Sequence, residues 1–480
     1  MNCIMEKVKY VNLAKDMMIF VLGIVLSKLV QFFLMPVYTT YLSVDDYGIA
    51  ELTNNFAEFL FPIATLCIYE AAFRYAIDKN YSKNKIITES FRFVTLTLII
   101  VACLMFVMYC FYPYKYMILL YIILVSYSYK TLILFFIRGE GYSKYFAVSG
   151  VVGALILGVA TYFFVVFLKA DISGYIISIS LSHIISTLYI IVKCKVYKQI
   201  RFSFKFDFIL LKDMLQYSSP LVIYNIGWWL NTISGRYILL LCLNPFSAGV
   251  YTAAVKISAV INMAQQAFYS AFQLNNAKQI ENKDKDVFFS KSFKIYSAGI
   301  LIFGSIILSF VEILADITLK KDFNMAKQYL PIILLTAILE CLFCFFKTMY
   351  TTFKITQKAT VSMIVGSIVN LSVSLLLVKE LEIWGVCIAT LLCSISQSIY
   401  RIYDIKKIVS IKCYWSIINV SIILLCLQVY LWKNAEYYSL YFNFFITLAI
   451  AIINYRCCKE DLHDIFEFIV GKIKDNVRVL

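Results

Sequence analysis

Side chains able to do chemistry are concentrated, in this sequence, inside its most apolar stretches. Lys28, Gln31 and Tyr38 lie within 17–42, and Glu51, Asn54, Asn55 and Glu58 within 47–72. Asn225, Trp228, Thr232 and Arg236 lie within 215–243, and Thr252, Lys256, Gln266 and Ser270 within 248–272. Steps of three, four and seven residues put each set on one face of a helix. An ionisable group in hydrocarbon costs about 2.5–3.5 kcal/mol or more, so each face is expected to meet protein or a water-filled cavity. Amides and the rings of Trp228, Trp229 and Tyr38 suit sugar hydroxyls and sugar rings. The cations Lys28, Arg236 and Lys256, set against Glu58, suit a phosphate or an acidic sugar. These residues are the expected lining of a cationic, amide-rich cleft for a large amphiphilic anion. The competing reading is polar glue between helices. Arg236 and Lys256 also have the reach to snorkel to the membrane edge.

A second set is thinner. Lys130 and Arg138 lie on one apolar stretch, Glu340 and Lys347 on another. Glu58 and Glu340 are candidates for binding a coupling proton or cation, and pairing with a nearby lysine accounts for them equally well. Arg74 and Arg138 are candidates for a cytoplasmic gate; Arg138 also reads as an anchor at the end of its span. Pro36, Pro62 and Pro220 each remove a helical hydrogen bond, and the resulting bends suit a gate or plain packing. Nothing points to covalent chemistry. The 14 cysteines show no disulfide spacing, and the Cys341–Cys344 CxxC lies in an apolar helix, where packing explains it. Two histidines do not make a zinc site, and no Walker A sequence is present. No catalytic residue, metal, cofactor or enzyme activity is expected.

These residues need a membrane to position them. Of 480 residues, 61% are hydrophobic and 15% charged, with a mean hydropathy of +0.80. Soluble proteins run at about 45–50% apolar and about 25% charged. A soluble globular protein is therefore excluded, and so is disorder. At about 20 residues per span, the apolar runs give fourteen helices: 17–42, 47–72, 93–113, 116–137, 145–168, 173–192, 215–243, 248–272, 293–314, 329–353, 360–378, 384–400, 414–432 and 438–455. The expected fold is an all-α polytopic membrane protein.

The net charge of +15 would suit nucleic acid in a soluble chain. Here the Lys and Arg residues collect in alternate loops, and no nucleic-acid partner is expected. Ser43–Asp46 and Asn244–Ser247 carry none. The positive-inside rule puts both termini and the even loops in the cytoplasm; Lys320, Lys321 and Lys327 in the ninth loop run against it. The first apolar run continues as a full span, so no cleavable signal peptide is expected. The outer loops are too short for a catalytic domain. The tail 459–480 has apolar residues at helical period and reads as an amphipathic helix on the cytoplasmic surface.

The spans repeat. Leu42 and Gly48 in YLSVDDYGIAEL correspond to Leu243 and Gly249 in CLNPFSAGVYTAA, at an offset of 201. Gly174 in ISGYIISISLSH corresponds to Gly385 in IWGVCIATLLCS, at an offset of 211. Two copies of six spans each make parallel repeats about an axis along the membrane normal. The expected organisation is an N-terminal lobe (1–212), a C-terminal lobe (213–412), two additional helices (413–458) and the tail (459–480). The cleft between the lobes would be the site of alternating access.

The segments LSKLVQFFLMPVYTTYLSVDDYGIAEL, AAFRYAID and YSSPLVIYNIGWWLNTISGRYILLLCLNPFSAGVYTAAVKIS resemble polysaccharide repeat-unit flippases of the Wzx type. That family sits in the multidrug/oligosaccharidyl-lipid/polysaccharide superfamily, beside the MATE exporters and the lipid II flippases. The resemblance covers spans 1–12, and its motifs are specific for the branch rather than for a substrate. Lys28, Arg74, Arg236 and Lys256 fall on matching positions. Gly235 departs from the pattern, since the family often has an Asp before this Arg-Tyr pair. The resemblance implies a MATE-like fold. It implies transfer of undecaprenyl-diphosphate-linked oligosaccharide from the cytoplasmic to the outer leaflet of a bacterial inner membrane, for O-antigen, capsule or exopolysaccharide. It also implies a lipid-linked oligosaccharide substrate, contact with membrane lipids, and a polysaccharide polymerase and chain-length regulator as partners. Two other classes stay open. An ion-coupled MATE-type exporter should carry an acidic site in its N-terminal lobe, and span 1 has no Asp or Glu after Asp16. A membrane glycan polymerase or ligase usually shows a large outer loop, which this chain lacks.

Overall fold

The computed structural model describes residues 29–477, apart from 31, 79, 202–206, 280–284, 354 and 435–438. Among the described residues the regular structure is helical. Among the described residues ten helices are long and apolar enough to cross a membrane, or eleven if a bent pair is one span. The protein is a multi-pass membrane protein. Half of the expected first span, 17–28 and 31, lies outside the described residues; the span ends in α1 (Met35–Tyr41).

The bent pair is α2 (Val44–Thr65) and α3 (Ile68–Ile77), which meet at 61°. Ser43 caps α2 by accepting the Asp46 N–H at 3.1 Å, and Asp45 and Asp46 in the first turn favour the positive end of the helix dipole. At the other end, Leu66 (φ 46) and Cys67 (φ 53) are both left-handed. That conformation costs a residue with a Cβ about 1–2 kcal/mol. Pro62 weakens the last turn of α2 by removing a donor, and the Cys67 N–H closes it on the Pro62 carbonyl at 3.3 Å.

Four long helices follow: α4 (Lys83–Phe111), α5 (Met117–Gly139), α6 (Ser143–Thr161) and α7 (Asp171–Lys193). The expected seventh span is not one helix. It is α8 (Phe208–Ser218), α9 (Pro220–Thr232) and α10 (Ser234–Cys242). Pro220 opens α9, where its missing N–H costs nothing. Then come α11 (Pro245–Gln279), α12 (Lys285–Ser309), α13 (Val311–Thr318) and α14 (Leu330–Thr352).

The next helix, α15 (Thr356–Ile405), has 50 residues. A straight helix of that length would be about 75 Å long, far beyond a hydrocarbon core of about 30 Å. Its backbone breaks at Glu382 (φ 49, ψ −125), between the two spans expected there. The last helices are α16 (Trp415–Asn434) and α17 (Ser439–Val477). The backbone of α17 runs through the last expected span into the tail without interruption; the side chains of 461–477 lie outside the described residues.

The chain forms two compact units. Unit 1 is Met1–Thr252 with Thr318–Phe323, and unit 2 is Ala253–Ile317 with Asn324–Leu480. Unit 1 thus takes in the stretch 213–252. In unit 2, α12, α16 and α17 are joined by a buried neutral cluster. The Gln428 amide donates to Ser309 at 3.2 Å and to Thr447 at 3.0 Å, and the Ser305 hydroxyl donates to the Gln428 carbonyl at 3.0 Å. Arg401 is buried in the same unit, donating to Ser362 at 3.2 Å and to Gln397.

Candidate functional site

The polar face of α2 is where the site begins. Glu51 is buried and takes a hydrogen bond from the Tyr175 hydroxyl, so its role is to join α2 to α7. One turn on, the Asn54 amide donates to Glu58 at 3.3 Å. Asn55 is buried, and its amide nitrogen has no hydrogen-bond partner among the described residues.

The broken seventh span lies against this face. The Trp229 indole N–H donates to the Asn55 carbonyl at 3.1 Å, and the Tyr237 hydroxyl donates to the Leu52 carbonyl at 2.7 Å. Trp229 also stacks near Phe59 and Tyr237, with ring centroids 4.4 and 5.1 Å away. Asn225 donates to the Leu221 carbonyl at 2.9 Å and reaches the Cys67 sulfur at 3.5 Å. That second contact lands on the α2–α3 break.

Around the break is a cavity of about 250 Å³. Glu58, Glu70, Tyr69, Tyr127, Asn225 and Trp228 are among its lining. The bend is what makes it: Glu58 belongs to α2 and Glu70 to α3, and both face the same space. Each carboxylate has a cation of α5 within electrostatic reach, Lys130 for Glu58 and Arg138 for Glu70. The Arg138 guanidinium lies over the Phe73 ring at 5.2 Å. His183 of α7 is close to Lys130 and 3.5 Å from the Ser126 hydroxyl. Small-molecule pockets run to about 300–1,000 Å³, so this space falls just below that range.

The structure brings together Asn54, Asn55, Glu58, Asn225 and Trp228 in unit 1. Arg236 is in the same unit, 9% exposed, with its Nε lacking a hydrogen-bond partner among the described residues. It adjoins Tyr237, which feels both Arg236 and Glu58. Arg74 and Arg138 are exposed, on α3 and at the end of α5. Lys256 is half-buried on α11 and Glu340 exposed on α14, both in unit 2. Lys28 and Gln31 lie outside the described residues, as does the side chain of Gln266. Sequence reasoning missed Glu70 and Tyr69. A straight span ending at 72 would leave Glu70 at the membrane edge, and the only hint of a break is Pro62.

The comparisons agree with this architecture. In fold the chain is similar to the lipid II flippase MurJ in an inward closed conformation, with 15% identity and a TM-score of 0.71; the match covers 93% of this chain and 99% of that one. It is similar to an inward-facing multidrug resistance MATE transporter of the MOP superfamily, with 14% identity and a TM-score of 0.54, covering 82% of this chain and 94% of that one. An outward-facing MATE transporter gives 12% identity and a TM-score of 0.55, with 82% and 95% covered. No curated protein matches the sequence. The family described as polysaccharide biosynthesis protein matches residues 13–272. That is more than half of the chain, and the chain therefore belongs to the polysaccharide biosynthesis protein family.

Proposed function

We propose that this protein carries undecaprenyl-diphosphate-linked oligosaccharide from the cytoplasmic to the outer leaflet of a bacterial inner membrane, for surface polysaccharide synthesis. The observation that carries the reading is membership of a polysaccharide-biosynthesis family by a chain built of membrane helices. The likeness in fold to a lipid II flippase supports a lipid-linked cargo.

In this reading two six-helix lobes alternate in access, and fourteen spans leave both termini in the cytoplasm. Lys28, Gln31, Asn54, Asn55, Asn225, Trp228, Arg236, Lys256 and Gln266 hold the glycan and its diphosphate. Amides bond sugar hydroxyls, and the cations lower the cost of bringing diphosphate into a low-dielectric path. Arg74 and Arg138 gate the cytoplasmic side. Glu58 and Glu340 bind a coupling ion, and a polymerase and chain-length regulator receive the product.

One observation favours a second reading, an ion-coupled exporter of small solutes. The cavity holds two carboxylates, Glu58 and Glu70.

The test is gene deletion under inducible rescue in the source bacterium, with lipid-linked oligosaccharide and surface polysaccharide measured together. Accumulation of single repeat units on the inner leaflet, with loss of surface polymer, is the flippase outcome. Arg236→Ala and Lys28→Ala should then reproduce it in part. Units that reach the outer leaflet unpolymerised would make the protein a polymerase. Unchanged pools of both would leave the exporter.

A further inference from the structure

Two further cavities among the described residues of unit 1 open beside α4. The first, of about 670 Å³, is lined by Lys85, Glu89, Arg92, Arg201, Asp207 and Phe208. The second, of about 360 Å³, is lined by Phe91, Tyr121, Tyr129, Ile133, Ile184 and Leu188. Phe91 and Arg92 are successive residues, so the charged cavity and the apolar one begin within a turn of each other.

Their order along the membrane follows from the helices. Lys83 opens α4 and pairs at 3.6 Å with Glu140, the residue after α5. The start of α4 and the end of α5 are therefore level. Phe91 is eight residues into α4, about 12 Å, and Tyr121 lies about 27 Å back from the end of α5. The apolar groove runs from the charged cavity toward mid-membrane. Its walls are fixed: Thr95 and Tyr129 share a hydrogen bond of 2.8 Å, and the Tyr121 hydroxyl donates to the Leu98 carbonyl at 3.2 Å. It opens outward, with Ile184 43% and Leu188 52% exposed.

The charged cavity is held at the chain linking α7 to α8. The Arg201 N–H donates to Thr88 at 3.1 Å, and the Arg201 carbonyl accepts from Arg92 at 3.0 Å. Two of its cations are matched by acids, Lys85 with Asp207 at 3.1 Å and Arg92 with Glu89 at 2.6 Å. The Arg201 side chain is exposed and has no ion pair among the described residues. Lys193, Lys195 and Lys198 precede it with no acid between them. At the rim, Phe208 and Ile209 are 73% and 79% exposed, an apolar pair that belongs in the membrane interface.

We propose that this face holds one anionic phospholipid of the surrounding bilayer. Its phosphate takes the cavity of Lys85, Arg92 and Arg201, and one acyl chain takes the groove that begins at Phe91. Charge selects the occupant, because the cavity and its approach carry a cationic excess that a zwitterionic head does not satisfy. Such a lipid ties the linker before α8 to α4. The inference is independent of the cargo proposed above, since it uses none of the same residues.

Native mass spectrometry of the full-length protein in neutral detergent tests it, with phosphatidylglycerol and phosphatidylcholine of matched chains as probes. One phosphatidylglycerol per chain is expected, bound about tenfold more tightly than phosphatidylcholine. Lys85→Gln with Arg201→Gln should remove that preference. Leu188→Trp, on an exposed groove wall, should weaken both lipids alike, with thermal unfolding of each variant as the folding control. Equal binding of the two lipids, a preference that survives the double substitution, or phosphatidylglycerol binding untouched by Leu188→Trp would each overturn the proposal. So would full displacement of phosphatidylglycerol by equimolar undecaprenyl phosphate, which would make the site one for substrate.

Discussion

Gly48 and Gly249, equivalent positions of the two repeats, touch each other. A Cβ on Gly48 would lie 2.6 Å from the Pro245 carbonyl oxygen and 3.0 Å from the Gly249 nitrogen. A Cβ on Gly249 would meet the Val44 carbonyl and lie 2.9 Å from the Val44 Cγ1. Helices α2 and α11 start at equivalent residues and cross backbone to backbone at their first turns.

Gly48→Ala and Gly249→Ala should therefore each destabilise the protein. The obstacle is backbone, which cannot rotate away, and overpacking of this kind costs about 1–3 kcal/mol. Thermal unfolding in detergent would register it. Wild-type unfolding temperatures for both would mean that the crossing can open freely.

Glu58 and Lys130 should behave as a couple. Glu58→Gln or Lys130→Met alone leaves one charge without its counter-ion, and Glu58→Gln/Lys130→Met removes both. The singles are expected to lose about 1–3 kcal/mol, less than the roughly 3–5 of a fully buried pair because neither group is fully enclosed. The double variant should recover part of that loss. A strictly additive double variant would show that the two charges act separately.

Trp229→Phe keeps an aromatic ring, though a smaller one, and deletes the donor to the Asn55 carbonyl. A loss of about 0.5–1.5 kcal/mol is expected, the usual net worth of one hydrogen bond. Trp229→Ala, which also empties the space beside Phe59, should cost more than that but less than the roughly 3–5 kcal/mol of a fully buried ring, because Trp229 is half-buried. Identical losses for the two variants would assign the whole effect to the hydrogen bond.

Asp207 caps α8 in the linker. The hydrogen bond from Lys85, with the Leu210 N–H behind it, holds its carboxyl below the usual carboxylate range. A depressed folded value means that its contribution is complete above the unfolded pKa of about 3.9 and fades as pH falls through the folded one. Hydrogen exchange at the Leu210 amide, corrected for intrinsic rate, should stay protected from pH 7 to about 4 and then rise. Asp207→Asn should show no such acid step. An acid step that persists in Asp207→Asn would place its origin elsewhere.

What the sequence made legible was the set of apolar runs and the polar faces on them. Asn54, Asn55, Glu58, Asn225 and Trp228 were picked by helical spacing, and helical spacing survives within any unbroken segment. What it hid were the breaks. Leu66–Cys67 and Ile233 carry no glycine or proline, so hydropathy reads straight through them. Glu70 was missed for that reason, because its position depends on a change of direction four residues earlier. Which lysine comes within electrostatic reach of Glu58 was hidden too, since it depends on the packing of α5 against α2.

The left-handed pair at Leu66 and Cys67 also marks the point about which α2 and α3 would change their angle. A continuous helix can tilt, but it bends only by breaking rungs of its ladder. Here the ladder is already interrupted, so a pivot of α3 about these two peptides would break the bonds from the Leu66 and Cys67 N–H groups and the packing of its buried face, but no regular rung. Glu70 and Arg74 would ride on that hinge while Glu58 stays with α2. The separation of the two carboxylates is then a readout of the hinge angle, and a charge gained or lost between them is a force on it.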